Sequence, residues 1–247
     1  MSFLQKYISF DRSDKWVEIA CPILILCILA ALYIPPLFQT NSLKLYLSSH
    51  NTLKIFLSVV PSQLLFLLGP LAVALLVNRS VSLKEKLALI NWKNSYIQEA
   101  FKLEMLLIIP LFVTAALSYF VSLKFGYDFS SSPIIELLSK ANKFGVILIF
   151  IFSAIVAPIV EEIAFRRVVF TFMARIFGST SSVILTSFIF ACMHGGIIQL
   201  VPLFILSLAL QYLYIKNRSL FPAILLHCIH NSIVMLLFVL GKINSFS

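Results

Sequence analysis

The residues best placed to do chemistry lie in Ile159-Val160-Glu161-Glu162-Ile163-Ala164-Phe165-Arg166, which sets two adjacent carboxylates and an arginine between flanks, 144–157 and 168–172, that are almost wholly apolar. A charged side chain at bilayer depth costs about 2.5–3.5 kcal/mol on insertion scales, so such charges usually face a protein interior and serve function. On a helix, Glu162 and Arg166 stand at i and i+4 with the acid first, the order in which the two neutralise each other best. Glu161 points about 100° around the helix from Glu162, on the side of Ala157 and Phe165, where nothing local pairs with it. An unpaired carboxylate in apolar surroundings suits a general base or acid. A lone Glu–Arg pair would read equally well as an interhelical clamp, but the second glutamate is surplus to a clamp.

Of the four histidines, His50 sits in a polar stretch, whereas His194, His227 and His230 fall in apolar runs. Gly178-Ser179-Thr180 reads as the turn of an antiparallel helical hairpin. Glu161 before that turn and His194 after it are each about 25 Å away along their helices, so the two come out level. Further on, Leu226-His227-Cys228-Ile229-His230-Asn231 puts His227 and Asn231 on one helical face. An imidazole beside a carboxamide makes a donor pair for a developing oxyanion. Any one of these histidines alone would more simply hydrogen-bond a neighbouring helix; three of them with two glutamates favour a site.

Other chemistries find less support. No G-x-S-x-G, HExxH or Gly-Asp pair occurs. Cys192 and Cys228 stand near the histidines, but their side chains point about 100° or more away. Glu161, His194 and His227 form a set of types that could hold a metal. Asn231, a poor zinc ligand, suits the oxyanion role better, so neither a tightly bound metal nor another cofactor is expected.

The elements that must position these residues are membrane helices. Hydrophobic residues are 60% of the 247, charged residues 12%, and mean hydropathy is +1.01, against about 45–50% apolar and about 25% charged in soluble domains. The composition implies an all-α, multi-pass bundle with the lipid bilayer as partner. The net charge of +9 reads as loop lysines and arginines meeting headgroups. Without a basic patch interleaved with exposed aromatics, nucleic acid is not an expected partner. The four cysteines lie in apolar runs without a CxxC pair, as buried free thiols do.

In chain order, 17–38 is an uncleaved first span, 53–77 a second and 105–121 a third. The charge-rich stretch 78–104 between the last two reads as an interfacial amphipathic segment. A short amphipathic piece, 134–140, comes after Ser132 as N-cap and Pro133 at the first helical position. The motif helix from Phe144 to about Phe177 would be some 50 Å long, too long for one untilted crossing. Pro158 is expected to break it and to leave the carbonyl of Ala154 without its donor. Spans at 181–194, 197–214 and 221–240 complete about seven to eight crossings. Most of the 19 lysines and arginines then fall on the side of the N-terminus, which predicts that this side is cytoplasmic.

Glu161-Glu162-x-x-x-Arg166, Phe190-x-x-x-His194 and His227-x-x-x-Asn231, in this order and with these gaps, resemble the three motifs of the CPBP family. That family contains the CAAX prenyl endopeptidases of the Ras-converting type and bacterial bacteriocin-processing or self-immunity proteins, also called the Abi family. The similarity runs from Phe144 to Leu240 and divides the chain into variable helices at 1–143, a four-helix catalytic core at 144–240 and a tail at 241–247. It implies a glutamic-type intramembrane endopeptidase. Glu161 would activate a water with help from His194, His227 and Asn231 would stabilise the oxyanion, and Glu162 with Arg166 would hold the motif helix in place. One departure is that family members often carry small residues along the span before the last motif, where this chain has Ser207 and Gln211.

The implied substrate is a membrane-associated peptide or protein: a CAAX-type tail, lipidated or not, a leader or pheromone precursor, or a sorted tail. The alternative is a non-catalytic peptide-binding or bacteriocin self-immunity protein. A transporter using a Glu/Arg/His proton path would show repeat symmetry between halves, and none is visible in the sequence. The short basic chain, lacking an organelle address, is expected in a prokaryotic inner membrane.

Overall fold

The computed structural model describes residues 12–37, 67–77, 80–90, 92–125, 138, 141–194 and 197–244. Every described element is helical. After a 3-10 turn at Arg12–Lys15 come α1 (Trp16–Leu37), α2 (Leu67–Leu76), α3 (Leu83–Lys86) and α4 (Ser95–Lys124). The second half contains α5 (Lys143–Phe177), α6 (Ser179–Met193), α7 (Ile197–Asn217) and α8 (Phe221–Asn244). Four of these, α4, α5, α7 and α8, contain stretches long and apolar enough to cross a membrane. With the apolar α1, α2 and α6, they match the seven segments read from the sequence. The piece at 134–140, apart from Leu138, lies outside the described residues, as do His50 and residues 53–66 of the second span.

Two boundaries differ from expectation for physical reasons. Among its described residues, the charged stretch 78–104 is not one helix. It divides into α3, capped by a reciprocal Ser82–Glu85 box, and the first turns of α4. Two acids on α4 have partners within the protein. Glu99 takes hydrogen bonds from Lys216 at 3.0 Å and Asn217 at 3.3 Å, and Glu104 is fully buried. The connection before α4 braces the α7–α8 turn: Ser219 Oγ donates to the Ile90 carbonyl at 3.0 Å and the Leu220 N–H to that of Ala88 at 2.9 Å.

The second difference concerns Pro158, which does not break α5. The helix runs without interruption through two π-helical turns, Phe152–Val156 and Ile163–Val169, that bracket the segment Ala157–Glu162. In the first turn the Ala157 N–H reaches back five residues to the Phe152 carbonyl, so the helix is locally widened and the proline ring is spared its clash with the preceding turn. At this register the missing proline N–H would have faced Ser153 rather than Ala154. The Asn231 amide of α8 fills that place, donating to the Ser153 carbonyl at 2.8 Å.

Gly178 closes α5 at φ +75°, a conformation that costs glycine little, and α6 turns back against α5. The main core joins Trp16, Ala20 and Leu24 of α1 to Ala164, Phe165 and Val168 of α5, Phe190 of α6, Leu206 and Leu210 of α7, and Leu226 of α8. A separate small cluster, Leu138, Ile149 and Met235, holds the first turns of α5 to the far part of α8. Between the two clusters along α5 and α8 lie Glu161, Glu162, His227 and Asn231.

Candidate active site

The carboxylates leave α5 where the segment Ala157–Glu162 gives way to the second π turn, and they diverge. Glu162 is fully buried and meets two partners. Its Oε2 lies 3.1 Å from Arg166 Nε, the i, i+4 pair expected from the sequence, and its Oε1 lies 2.8 Å from His227 Nδ1 on α8. The guanidinium of Arg166 also donates to the Ser207 hydroxyl on α7 at 3.0 Å and lies 4.5 Å over the ring of Phe190. A buried arginine so held keeps its charge compensated on one edge and its flat face on an aromatic quadrupole.

Glu161 turns to the other side and meets both remaining imidazole faces. Its Oε2 stands 3.5 Å from His194 Nε2 and 3.8 Å from His227 Nε2. These separations are longer than a good direct hydrogen bond and too short to admit a water between the atoms, so the three groups converge on one place. The side chains of Glu161 and His194 are 16% and 29% exposed, whereas that of His227 is 2% exposed. The site is therefore open on the His194 side and closed beneath His227.

Hydrogen bonding fixes both rings. His194 donates Nδ1–H to the Phe190 carbonyl, one turn back on α6, at 2.7 Å. His227 donates Nδ1–H to Glu162, whose charge is maintained by Arg166. In both rings Nε2 is thus turned toward Glu161, with a lone pair in the neutral imidazole and a proton in the imidazolium. Phe190 is the hub beneath them, fully buried, with His194, Phe165 and His227 at 4.4, 5.1 and 5.8 Å between ring centres.

The sequence-derived residues Glu161, Glu162, Arg166, His194 and His227 come together. Asn231 is on the expected face of α8, and one of its amide hydrogens is engaged by the Ser153 carbonyl. Ser207, read from the sequence as a departure from close helix packing, is the partner of Arg166. The signal for it was a small polar residue in an apolar span. Glu104 was overlooked. It pairs through Oε1 with His230 Nδ1 at 3.0 Å, and its burial was masked by the charge density around it in the sequence. Cys21 is buried as expected, but Cys192 is exposed.

Residues 143–233 match the family described as type II CAAX prenyl endopeptidase Rce1-like, a stretch that contains all six of the residues expected in the site. Among curated proteins, the UPF0177 protein YaiH of Lactococcus lactis is 35% identical over 86 residues, which cover 34% of this chain and 35% of that protein. The aligned part of the chain thus spans about a third of this relative's length. No solved structure matches the chain. The motif residues gathered at one place in an all-helical membrane bundle thus lie in the part of the chain, residues 143–233, that is similar to the Rce1-like family of type II CAAX prenyl endopeptidases.

Proposed function

We propose that the protein is an intramembrane endopeptidase that hydrolyses a peptide bond of a membrane-associated substrate by means of a water activated by Glu161 and His194. The observation that carries this reading is the convergence of the Glu161 carboxylate and the Nε2 atoms of His194 and His227, 3.5 and 3.8 Å from it, beside which a water can hydrogen-bond. A water held there is within reach of a base, and the exposed edge of His194 gives it a route in. Attack on the scissile carbonyl places negative charge on its oxygen. His227, as the imidazolium, and the free amide hydrogen of Asn231 are the donors for that oxyanion. Glu162 and Arg166 act through His227, setting its ring and its charge.

The resemblance of residues 143–233 to that family supports a substrate of this class: a CAAX-type tail, with or without a prenyl group, or a bacterial leader, pheromone precursor or sorted tail delivered through the membrane. We place the protein in a prokaryotic cell membrane, with residues 144–240 as the catalytic core. The test is cleavage of a panel of membrane-delivered peptides, prenylated CAAX peptides among them, by purified protein in detergent. Wild type is expected to cleave at least one, with loss of about 10²-fold or more in Glu161→Gln and His194→Ala at unchanged thermal stability. Full cleavage by Glu161→Gln would overturn the mechanism. A wild type that cleaves nothing, together with full cellular function of Glu161→Gln, would favour a peptide-binding or self-immunity protein.

A further inference from the structure

The proposed site uses Glu161, Glu162, Arg166, His194, His227 and Asn231 and leaves the neighbouring pair Glu104 and His230 unused. Glu104 comes from α4, outside the family-matched stretch, and is fully buried. Among the ion pairs of the described residues it has one partner, His230, whose Nδ1 lies 3.0 Å from Glu104 Oε1; Oε2 has none. The His230 side chain keeps 16% exposure, and Nε2 is on the ring edge away from the bond to Glu104. This repeats the pairing of Glu162 with His227, three residues earlier on the same helix. A carboxylate and an imidazolium together are neutral, so the pair can keep one proton in apolar surroundings at less cost than either charge alone.

Helical geometry places His230 about 60° to one side of His227 and Asn231 about 40° to the other. The three share an arc of about 100° with the oxyanion donor His227 between them. In a peptide group the nitrogen lies roughly 2.3 Å from the carbonyl oxygen. A substrate whose oxygen is held by His227 and Asn231 therefore presents its leaving nitrogen beside the same arc. Glu161 and His194, which face each other at 3.5 Å, are then left to the attacking water.

Resting on the endopeptidase reading above, we propose that His230 is the acid that protonates the leaving amine, and that Glu104 is the positioning residue that keeps its ring oriented and its Nε2 proton available. The water oxygen forms the new C–O bond while one of its protons passes to Glu161 and the carbonyl π pair moves onto oxygen. On collapse this pair restores C=O, the C–N bond breaks, and the nitrogen's electron pair takes the proton from His230 Nε2. The products are a carboxylic acid and an amine. The proton on Glu161 then passes through water to His230 and restores the starting state.

The test compares two substrates of the same acyl sequence: the best-cleaved peptide of the panel, and an aryl ester whose phenolate departs without a proton. Glu104→Gln and His230→Gln both keep a side chain able to hydrogen-bond at this place. Each is expected to lower kcat on the amide by about 10²-fold or more, the usual contribution of a general acid, while ester turnover stays within about threefold. Ester turnover also reports that the site is folded. Equal losses on both substrates would mean that the pair only ties α4 to α8, and an undiminished amide rate would mean that it has no part in turnover. Either outcome overturns this assignment and leaves the endopeptidase intact. Cleavage retained by Glu161→Gln, or no cleavage of either substrate by wild type, overturns the endopeptidase reading and this assignment with it.

Discussion

Glu162 is the residue on which the charge arrangement turns, because it is shared by a cation one turn away and by an imidazole on another helix. Replacing it by glutamine leaves Arg166 buried without a carboxylate. Glu162→Gln is therefore expected to lose about 3–5 kcal/mol of stability, the usual cost of breaking a buried pair from one side, and to abolish cleavage by releasing His227. Thermal unfolding in detergent and peptide cleavage measure the two effects. Arg166→Lys should preserve the charge but lose the hydrogen bond to Ser207 and the flat contact with Phe190; a lysine variant with wild-type stability would contradict this account of the buried cluster. At this scale the Glu162–Arg166 pair was legible because i, i+4 spacing is a property of one helix. The choice of His227 for Glu162 and of His194 for Glu161 was only partly so. The hairpin arithmetic put Glu161 and His194 at one level, but which carboxylate meets a histidine of α8 depends on how far that helix is rotated, and sequence spacing does not encode that.

Among the elements, α5 shows most clearly what spacing can and cannot reveal. Its length and its proline were visible in the sequence, and a broken helix was the natural inference from them. Two π turns instead keep it continuous, each adding a residue to a turn and so rotating the residues beyond it. They lie immediately before and after the segment that carries Glu161 and Glu162, in keeping with the tendency of such turns to occur at functional sites. Nothing in the largely apolar residues 152–156 distinguishes a π register from an α register; the decision is made by Pro158 and by the amide of Asn231 on another helix. Deleting Ala154 would return the first turn to α geometry and rotate the helix on one side of it by about 100° relative to the other. The Ser153 carbonyl would then leave Asn231, and the Leu138–Ile149–Met235 cluster would lose its register with α8. This variant is expected to keep its helical content by circular dichroism while cleavage is lost; full activity would show that the π turn does not set the site.

For the molecule as a whole, the adjacent arginines of the motif helix divide the labour. Arg166 points into the site, whereas Arg167 points toward the N-terminal elements. Arg167 pairs with Asp14, donates to the Lys86 carbonyl and lies 5.7 Å from the centre of the buried Trp16 ring. Lys86, itself buried, donates from Nζ to the carbonyls of Ala74 and Val77 at 2.5 and 2.6 Å. One chain of polar contacts thus runs from α5 through α3 to the end of α2. The seven apolar segments were legible from hydropathy, but this brace was not, because its charges look in sequence like ordinary interfacial lysines and arginines. A second link, Arg175 with Glu18, provides a control of similar chemistry and different exposure, since the Glu18 side chain is 58% exposed. Asp14→Ala leaves Arg167 buried beside an empty place and is expected to cost about 3–5 kcal/mol. Glu18→Ala breaks a solvent-screened pair and is expected to cost about 1 kcal/mol or less. In neither variant does the substitution touch Glu161, His194 or His227, so the cleavage rate per folded molecule should stay at the wild-type level below the melting transition. Thermal unfolding of both variants, with cleavage measured on the same samples, checks the pair of expectations. Equal stabilities for the two would show that the contact through Arg167 does not join the N-terminal helices to α5. A fall in cleavage in stable Asp14→Ala protein would show that the brace also sets the geometry of the neighbouring Arg166.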